Sequence, residues 1–442
     1  MLRTHSLSRT ALALSCLLAL PVQAAVFVVN NTQDVNESSL GDSTCNPVGA
    51  VGTTCTLRAA IQTANALGGS HTILVASGTY NLTRAGNNED AALTGDLDIS
   101  ADITLVNGTD NPPLVFGNYS DRVFDVHAGG RLRLENINVA GGLANRADTL
   151  RGGAFNVRAD AELELERAVV SGNIANIGGA IYSDGTVNIL DSEFLQNALL
   201  QGGFVADSFI NGVAILSRGP LSITGSSLHG NGVVPGGEGF VTSGFAVHLR
   251  TGGPAASSAI VVNSTIAENL TRGIRSEQAP LEIALSTIAN NSFRGLQFNR
   301  DQGNLGNVQL RVRGSVVHGH SGGDCNGLVG TDAEYDLRSR HNASGDASCG
   351  FSGATDRQNI PAPFFGPLAN QGGRTPVLLP LPWSELVDTG GQLCVPFVDQ
   401  RGKSRPIDGN IDFENRCDIG AVEFDPGSDP IPPDDLFGDG FE

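Results

Sequence analysis

The chain has 442 residues, with 27 Lys and Arg against 46 Asp and Glu and a formal net charge of −19. That balance argues against nucleic acid and against an anionic membrane surface, because both need a basic face. A single lysine, Lys403, leaves one candidate for any lysine base or Schiff base, and 57 glycines, nearly twice the ordinary share, point to a long β protein with many turns.

Residues 1–24 read as a signal peptide. Arg3 and Arg9 form the charged start, Ala11 to Leu20 the apolar stretch, and Val22-Gln23-Ala24 the small-residue cleavage site. The apolar stretch is too short to span a bilayer. Cleavage after Ala24 removes Cys16 and leaves six cysteines in three sequence-close pairs. Export of such a chain favours local disulfides among the 15 connectivities open to six cysteines: Cys45–Cys55, Cys325–Cys349 and Cys394–Cys417. No Cys-x-x-Cys supports zinc, so all six are read as structural.

Residues 25–69 read as an N-terminal cap. Within it TLRAAIQTANAL, residues 56–67, has an apolar stripe of Leu57, Ile61 and Ala64 behind Thr56, a good N-cap, and predicts one amphipathic helix. HTILVASGTYNLT, from His71 to Thr83, reads as strand and turn. In GDLDIS, Asp96 and Asp98 alternate with Leu97 and Ile99, the pattern of an exposed strand edge. No cofactor is called for elsewhere, and calcium is the ion these two acids would take.

From Leu132 onward one eleven-residue pattern recurs seven times. It reads LRLENINVAGG, LELERAVVSGN from Leu163, VNILDSEFLQN from Val187 and LSITGSSLHGN from Leu221. It continues as AIVVNSTIAEN from Ala259, LEIALSTIANN from Leu281 and LRVRGSVVHGH from Leu310. The starts differ by 31, 24, 34, 38, 22 and 29 residues, so the strand core is fixed and the loops vary. Positions one, three and eight are apolar, position six is small and often Ser, and position eleven is Asn at Asn173, Asn197, Asn231, Asn269 and Asn291. Strand, small bend, strand and Asn bend describe one coil of a right-handed parallel β-helix, an all-β solenoid over residues 70–325. The five asparagines are expected to stack as an internal structural ladder. Arg131 and Arg133 are expected to face Glu162 and Glu164 across adjacent strands.

At the last coil, His318, His320 and Asp324 are ligand or metal candidates. Their bland account is that His320 replaces the ladder Asn where the coil ends, beside Cys325. Residues 326–424 read as an irregular C-terminal cap. Residues 425–442, DPGSDPIPPDDLFGDGFE, read as a disordered acidic tail that ends in a sorting-signal-like LFGDGFE.

Both ends resemble a known group. Cys55-Thr56-Leu57-Arg58-Ala59-Ala60-Ile61, with Ala64-Asn65-Ala66 and Ser77-Gly78-Thr79-Tyr80, is similar to the CSLREA-type N-terminal region of exported bacterial β-helix proteins. Ala59 stands where that motif usually has Glu, so the reciprocal half of a capping box is missing. Gly366-Pro367-Leu368-Ala369-Asn370-Gln371-Gly372-Gly373, Asp399-Gln400-Arg401-Gly402, Arg405-Pro406 and Cys417-Asp418-Ile419-Gly420-Ala421-Val422-Glu423 resemble, in order, the choice-of-anchor Q type of surface protein. The resemblance implies a pectin-lyase-like right-handed β-helix on an exported protein, and brings no catalytic residues with it.

Two functions compete. One is a non-catalytic binding or adhesion scaffold, secreted or at the surface of a bacterial outer envelope. The other is a polysaccharide lyase or glycoside hydrolase with a site on an outer face. No catalytic residue is assigned, because no paired Asp motif or basic residue stands at a recognisable spacing, and one Trp with 5% aromatic residues offers little sugar platform. The expected partner is a glycan or another surface protein, with peripheral association and no nucleic acid, and the chain is read as a monomer.

Overall fold

The computed structural model describes residues 24–87, 89–145, 150–200, 212–232, 244–299, 310–326, 340–361, 365–392 and 394–430. The signal-peptide reading and the end of the acidic tail fall on residues 1–23 and 431–442, outside that set.

Each coil carries three short strands, and each strand pairs in parallel with its counterpart one coil away. Three long sheets result, two of ten strands and one of nine, with a three-stranded ribbon beside them. In the coil of Phe124–Val126, the chain runs from the second sheet through Arg131–Glu135 in the first to Asn138–Ala140 in the third. The fold is an all-β, right-handed parallel β-helix.

Strand alternation explains the interior. In the first sheet Leu132, Leu163, Val187, Leu221, Ala259, Leu281 and Leu310 pair in one unbroken register, the first position of every repeat. They are buried with Leu134, Leu165, Ile189, Ile223, Val261, Ile283 and Val312. The third sheet adds Val170, Phe194, Leu228, Ile266 and Ile288, and in the second sheet Phe124 and Phe155 stack with centroids 5.5 Å apart.

Polar ladders fill the bends. The backbone N–H and side-chain amide of Asn197 both donate to Oδ1 of Asn231, at 3.1 and 3.0 Å, and the same pair of bonds links Asn173 to Asn197, Asn231 to Asn269 and Asn269 to Asn291. Each amide thus satisfies a turn that water cannot reach. At the other bend the N–H of Ser192, Ser226, Ser264 and Ser286 each donates to the next serine hydroxyl, and the row ends on Asn342.

The parallel pairing extends beyond residues 70–325 at both ends. Val26–Val29 is already a strand of the first sheet, paired with Ser70–Val75, and Ala343–Ser344 closes the third sheet against Val316–His318. The first coils lack the Ser and Asn bends that mark the repeat. At an early one, Asn107 instead donates to the Val75 carbonyl. The helix Leu57–Leu67 covers the first coil, with the Thr56 hydroxyl accepting from Ala59 N–H. The cysteines are bonded as Cys45–Cys55, Cys325–Cys349 and Cys394–Cys417.

The C-terminal region doubles back over the third sheet. Gln400 bonds to the Thr265 hydroxyl and the Ser226 carbonyl, Thr375 to the Gly225 carbonyl, and Ala421 N–H to the Thr287 hydroxyl. Leu378 packs on Ala267 and Ala289, and the Cys394–Cys417 bridge on Leu285. Buried ion pairs hold this region together: Arg401 with Asp399 and Asp429, and Arg405 with Glu423. The boundary at residue 425 therefore moves. Asp429 is buried and accepts from both Arg401 and Lys403, because a buried guanidinium needs more than one carboxylate partner.

Candidate functional site

The three sheets present three different outer faces. That of the third lies under the C-terminal region along the coils of Ser227–His229, Thr265–Ala267 and Thr287–Ala289, while its earlier strands keep partly exposed outer residues. That of the first is open, and carries Arg131, Arg133, Glu135, Glu162, Glu164 and Glu166, followed by Asn188, Ser222, Thr224 and Ile260. Arg131 and Arg133 stand directly opposite Glu162 and Glu164, yet their shortest bonds are diagonal: Arg131 to Glu164 at 2.8 Å and Arg133 to Glu166 at 2.6 Å, with Arg133 to Glu164 at 2.9 Å. A long guanidinium reaches the next pair along the strand more easily than it folds onto its own.

The second sheet's outer face gathers a group of buried charges at its N-terminal end. Asp98 and Asp125 are adjacent in the ladder, followed by Asn156 and Tyr182 in the next two coils. Carboxylate oxygens of Asp96, Asp98 and Asp125 lie within 4.8 Å of one another, and those of Asp90 and Asp98 lie equally close to a ring nitrogen of His127. Arg122 bridges the group, with Nε 2.7 Å from Asp96 and an Nη 2.9 Å from Asp125. Arg158 reaches Asp125 at 3.1 Å and Asp90 at 2.6 Å, while His127 meets Asp98 at 2.7 Å.

Burial and neighbours drive these acids apart. Burial lifts the Asp96 carboxyl well above the usual range despite Arg122, and it lifts Asp98 against the hydrogen bond from His127. Asp125 goes the other way, because Arg122, Arg158 and Asn156 together outweigh its burial. Neighbouring carboxyls whose pKa values are driven apart are the arrangement acid–base chemistry uses. Access is another matter: Asp96, Asp98 and Asp125 are only 4%, 1% and 2% exposed. Arg58, the arginine of the helix start, donates to the carbonyls of Ala92, Gly95 and Asp96 and pairs with Asp34, which pins the segment over the acids. Calcium fits the donor set chemically, since hard oxygen ligands converge there. Arg122 and Arg158 compete for the same oxygens.

Of these residues only Asp96 and Asp98 stand out in the sequence. Aligning LDI at Leu97 with FDV at Phe124 and FNV at Phe155 would have placed Asp98, Asp125 and Asn156 in one row. Arg122, His127 and Arg158 flank those strands and carry no repeat signal.

His318, His320 and Asp324 lie at the far end. His320 terminates the asparagine ladder: Asn291 lies 3.3 Å from Nε2, and Nδ1 lies 2.9 Å from Asp324. Asp324 also accepts from the N–H groups of Gly345 and Asp346, fixing the turn that follows the coil. Burial pushes the His318 imidazole down. His320 and Asp324 are buried and bonded to each other. Lys403 is spent on Asp429 and Ser428.

No family model matches this chain, and no curated protein matches it. Among solved structures it is similar to a crystal structure of pectate lyase Pel9A, at 14% identity and a TM-score of 0.41, over 92% of this chain and 98% of that one.

Proposed function

We propose that the protein is an exported, non-catalytic β-helix that binds a glycan or another surface protein through the open face of its first sheet. One observation carries this reading. The acids arranged for chemistry are enclosed and ion-paired, whereas the first sheet offers a partly exposed outward row of hydroxyl, amide and paired charged groups over successive coils. A rigid face of this kind binds by complementarity over area. The N-terminal charge and apolar pattern support export, as do the disulfides. The likeness of the two ends to CSLREA-type and choice-of-anchor Q-type regions supports an envelope location.

The test is binding of the mature chain to glycan arrays and to whole bacterial envelopes, with Asn188→Arg/Ser222→Arg as the variant. These outward positions tolerate a long side chain, so the fold is kept and binding falls by about tenfold or more if this face is the surface. Unchanged binding by the folded variant overturns the assignment of the face.

A second reading, a polysaccharide lyase or hydrolase, is favoured by the Asp96, Asp98 and Asp125 group with Arg122. It would require the segment over Asp96 to open.

A further inference from the structure

The first sheet begins with a strand whose outer edge is open. Val26–Val29 pairs in parallel with Ser70–Val75, on one side only. The carbonyls of Ala25 and Val29 accept from Thr72 and Ala76, so the alternation of a parallel ladder turns the N–H and C=O of Val26 and Val28 away from the sheet. No hydrogen bond among the described residues uses those groups. Val26 and Val28 are 63% and 57% exposed, and Leu74, the ladder partner of Val28, is exposed beside them. The chain closes over the edge only past Val29, where Asn30 and Asn31 donate to the Cys55 carbonyl.

Comparable edges of the solenoid are guarded. At the same end of the molecule the helix Leu57–Leu67 closes the second sheet's edge strand, Leu97–Ile99. The Asn65 amide donates to the Asp98 carbonyl at 2.7 Å, its oxygen accepts from the Ser100 N–H, and Arg58 holds the carbonyls of Gly95 and Asp96. At the far end of the first sheet, Leu310–Arg313 turns Arg311 and Arg313 outward and continues into a bridge from Arg313 to Arg340. An edge strand without charge, proline or bulge is a template for another strand. Val26–Val29 and Ser70–Val75 hold no Asp, Glu, Lys or Arg. In a chain of net charge −19, two copies meet with least repulsion at such a neutral place.

We propose that this edge is an interface between two copies of the mature chain, joined by antiparallel pairing of Val26–Val29 about a two-fold axis at Phe27. Val26 of one copy lies opposite Val28 of the other, and each donates to and accepts from its counterpart. The valine side chains meet on the outer face, while Phe27 stays inside its own coil. The contact uses the same edge on both copies, so it closes at two. An edge of four residues is short beside the ~1,200 Å² that a stable interface buries, so association is weak and depends on concentration. Pairing sets the two first-sheet outer faces side by side, and it stands whatever those faces bind.

The experiment is sedimentation velocity on the mature, disulfide-bonded chain from about 1 to 500 μM, with amide hydrogen exchange at both limits. The expected result is a mass that rises from monomer toward dimer. The Val28 amide gains protection with concentration, while those of Phe27 and Val29, bonded within the sheet, are protected throughout. Val28→Pro removes an outward N–H and none of the sheet's own bonds, and should raise the dissociation constant about tenfold or more. Val26→Lys/Val28→Lys keeps every backbone group, sets like charges across the two-fold axis and should act in the same direction. Asn188→Arg/Ser222→Arg should leave the pairing unchanged while it tests the binding face. A wild type that stays monomeric at every concentration leaves the edge to another kind of partner and overturns the proposal. So does growth past the dimer, a dimer whose Val28 amide stays unprotected, or a Pro variant that melts with the wild-type transition and still pairs equally. Should the Pro variant fail to fold, the Lys variant decides in the same way.

Discussion

The outer rows of the first and second sheets follow the same alternation and hold similar numbers of ionic groups, yet they behave differently. On the first sheet Arg133 and its glutamate partners are half-buried and keep water at their edges, where ion pairs contribute less and set register more than stability. On the second sheet Asp96, Asp98, Asp125 and Arg122 are enclosed, and each charge depends on its partners. The repeat therefore decides which way a side chain points. What lies over the face decides what that charge does.

Removing one charge from each row exposes the contrast. Arg122→Ala leaves Asp96 and Asp125 without their shared cation, and we expect a loss of about 3–5 kcal/mol in denaturant unfolding. Arg133→Ala should cost about 0.2–1 kcal/mol, because water replaces its partners. Equal losses would mean that the two faces are not as different in solvation as their geometry implies. Between these extremes lies the interior ladder. Asn231→Ala orphans the backbone N–H and one of the two amide N–H groups of Asn197, the other still donating to the Val170 carbonyl, so about 2–4 kcal/mol is expected from two buried donors left unpaired.

The C-terminal region sharpens the comparison through pH. Burial lifts Glu423 to about 7 and Asp418 well above its usual range, although Arg405 opposes the rise at Glu423. A carboxyl whose native pKa is raised holds its proton more tightly folded than unfolded. Its contribution is complete below the unfolded value of 4.5 and is lost as pH rises toward about 7. Glu423→Gln should remove that fall. Melting curves across this window, wild type against variant, would read a flatter profile in the variant. Parallel profiles would place the titration elsewhere.

The solenoid was legible because every coil must bury the same three positions and close the same two bends. Leu163, Val187 and Leu281 fall into register however long the loops between them. The first strand, Val26–Val29, was not legible, since it lies ahead of the repeat and of the residues read as solenoid, and the coil of Asp102–Val106 closes on Asn107 without the Ser and Asn bends of the repeat. The charged group at Asp98 was half legible. Its acids sit on strands with a pattern, but Arg122 and Arg158 come from bends, and enclosure depends on Arg58, a residue that reads from sequence as part of a capping helix. The ordered start of the acidic tail was hidden for a similar reason. Composition marks Asp425 to Asp429 as soluble chain, and it takes the buried Arg401, with Lys403, to explain why Asp429 is held.

The most direct test of a non-catalytic scaffold is a turnover assay of the mature protein, with and without calcium, on acidic and neutral polysaccharides, scored for unsaturated products and new reducing ends. The account predicts no product above the buffer rate with any polymer. Product formation that disappears in a folded Asp98→Asn/Asp125→Asn variant would contradict it and make the enclosed acids an active site.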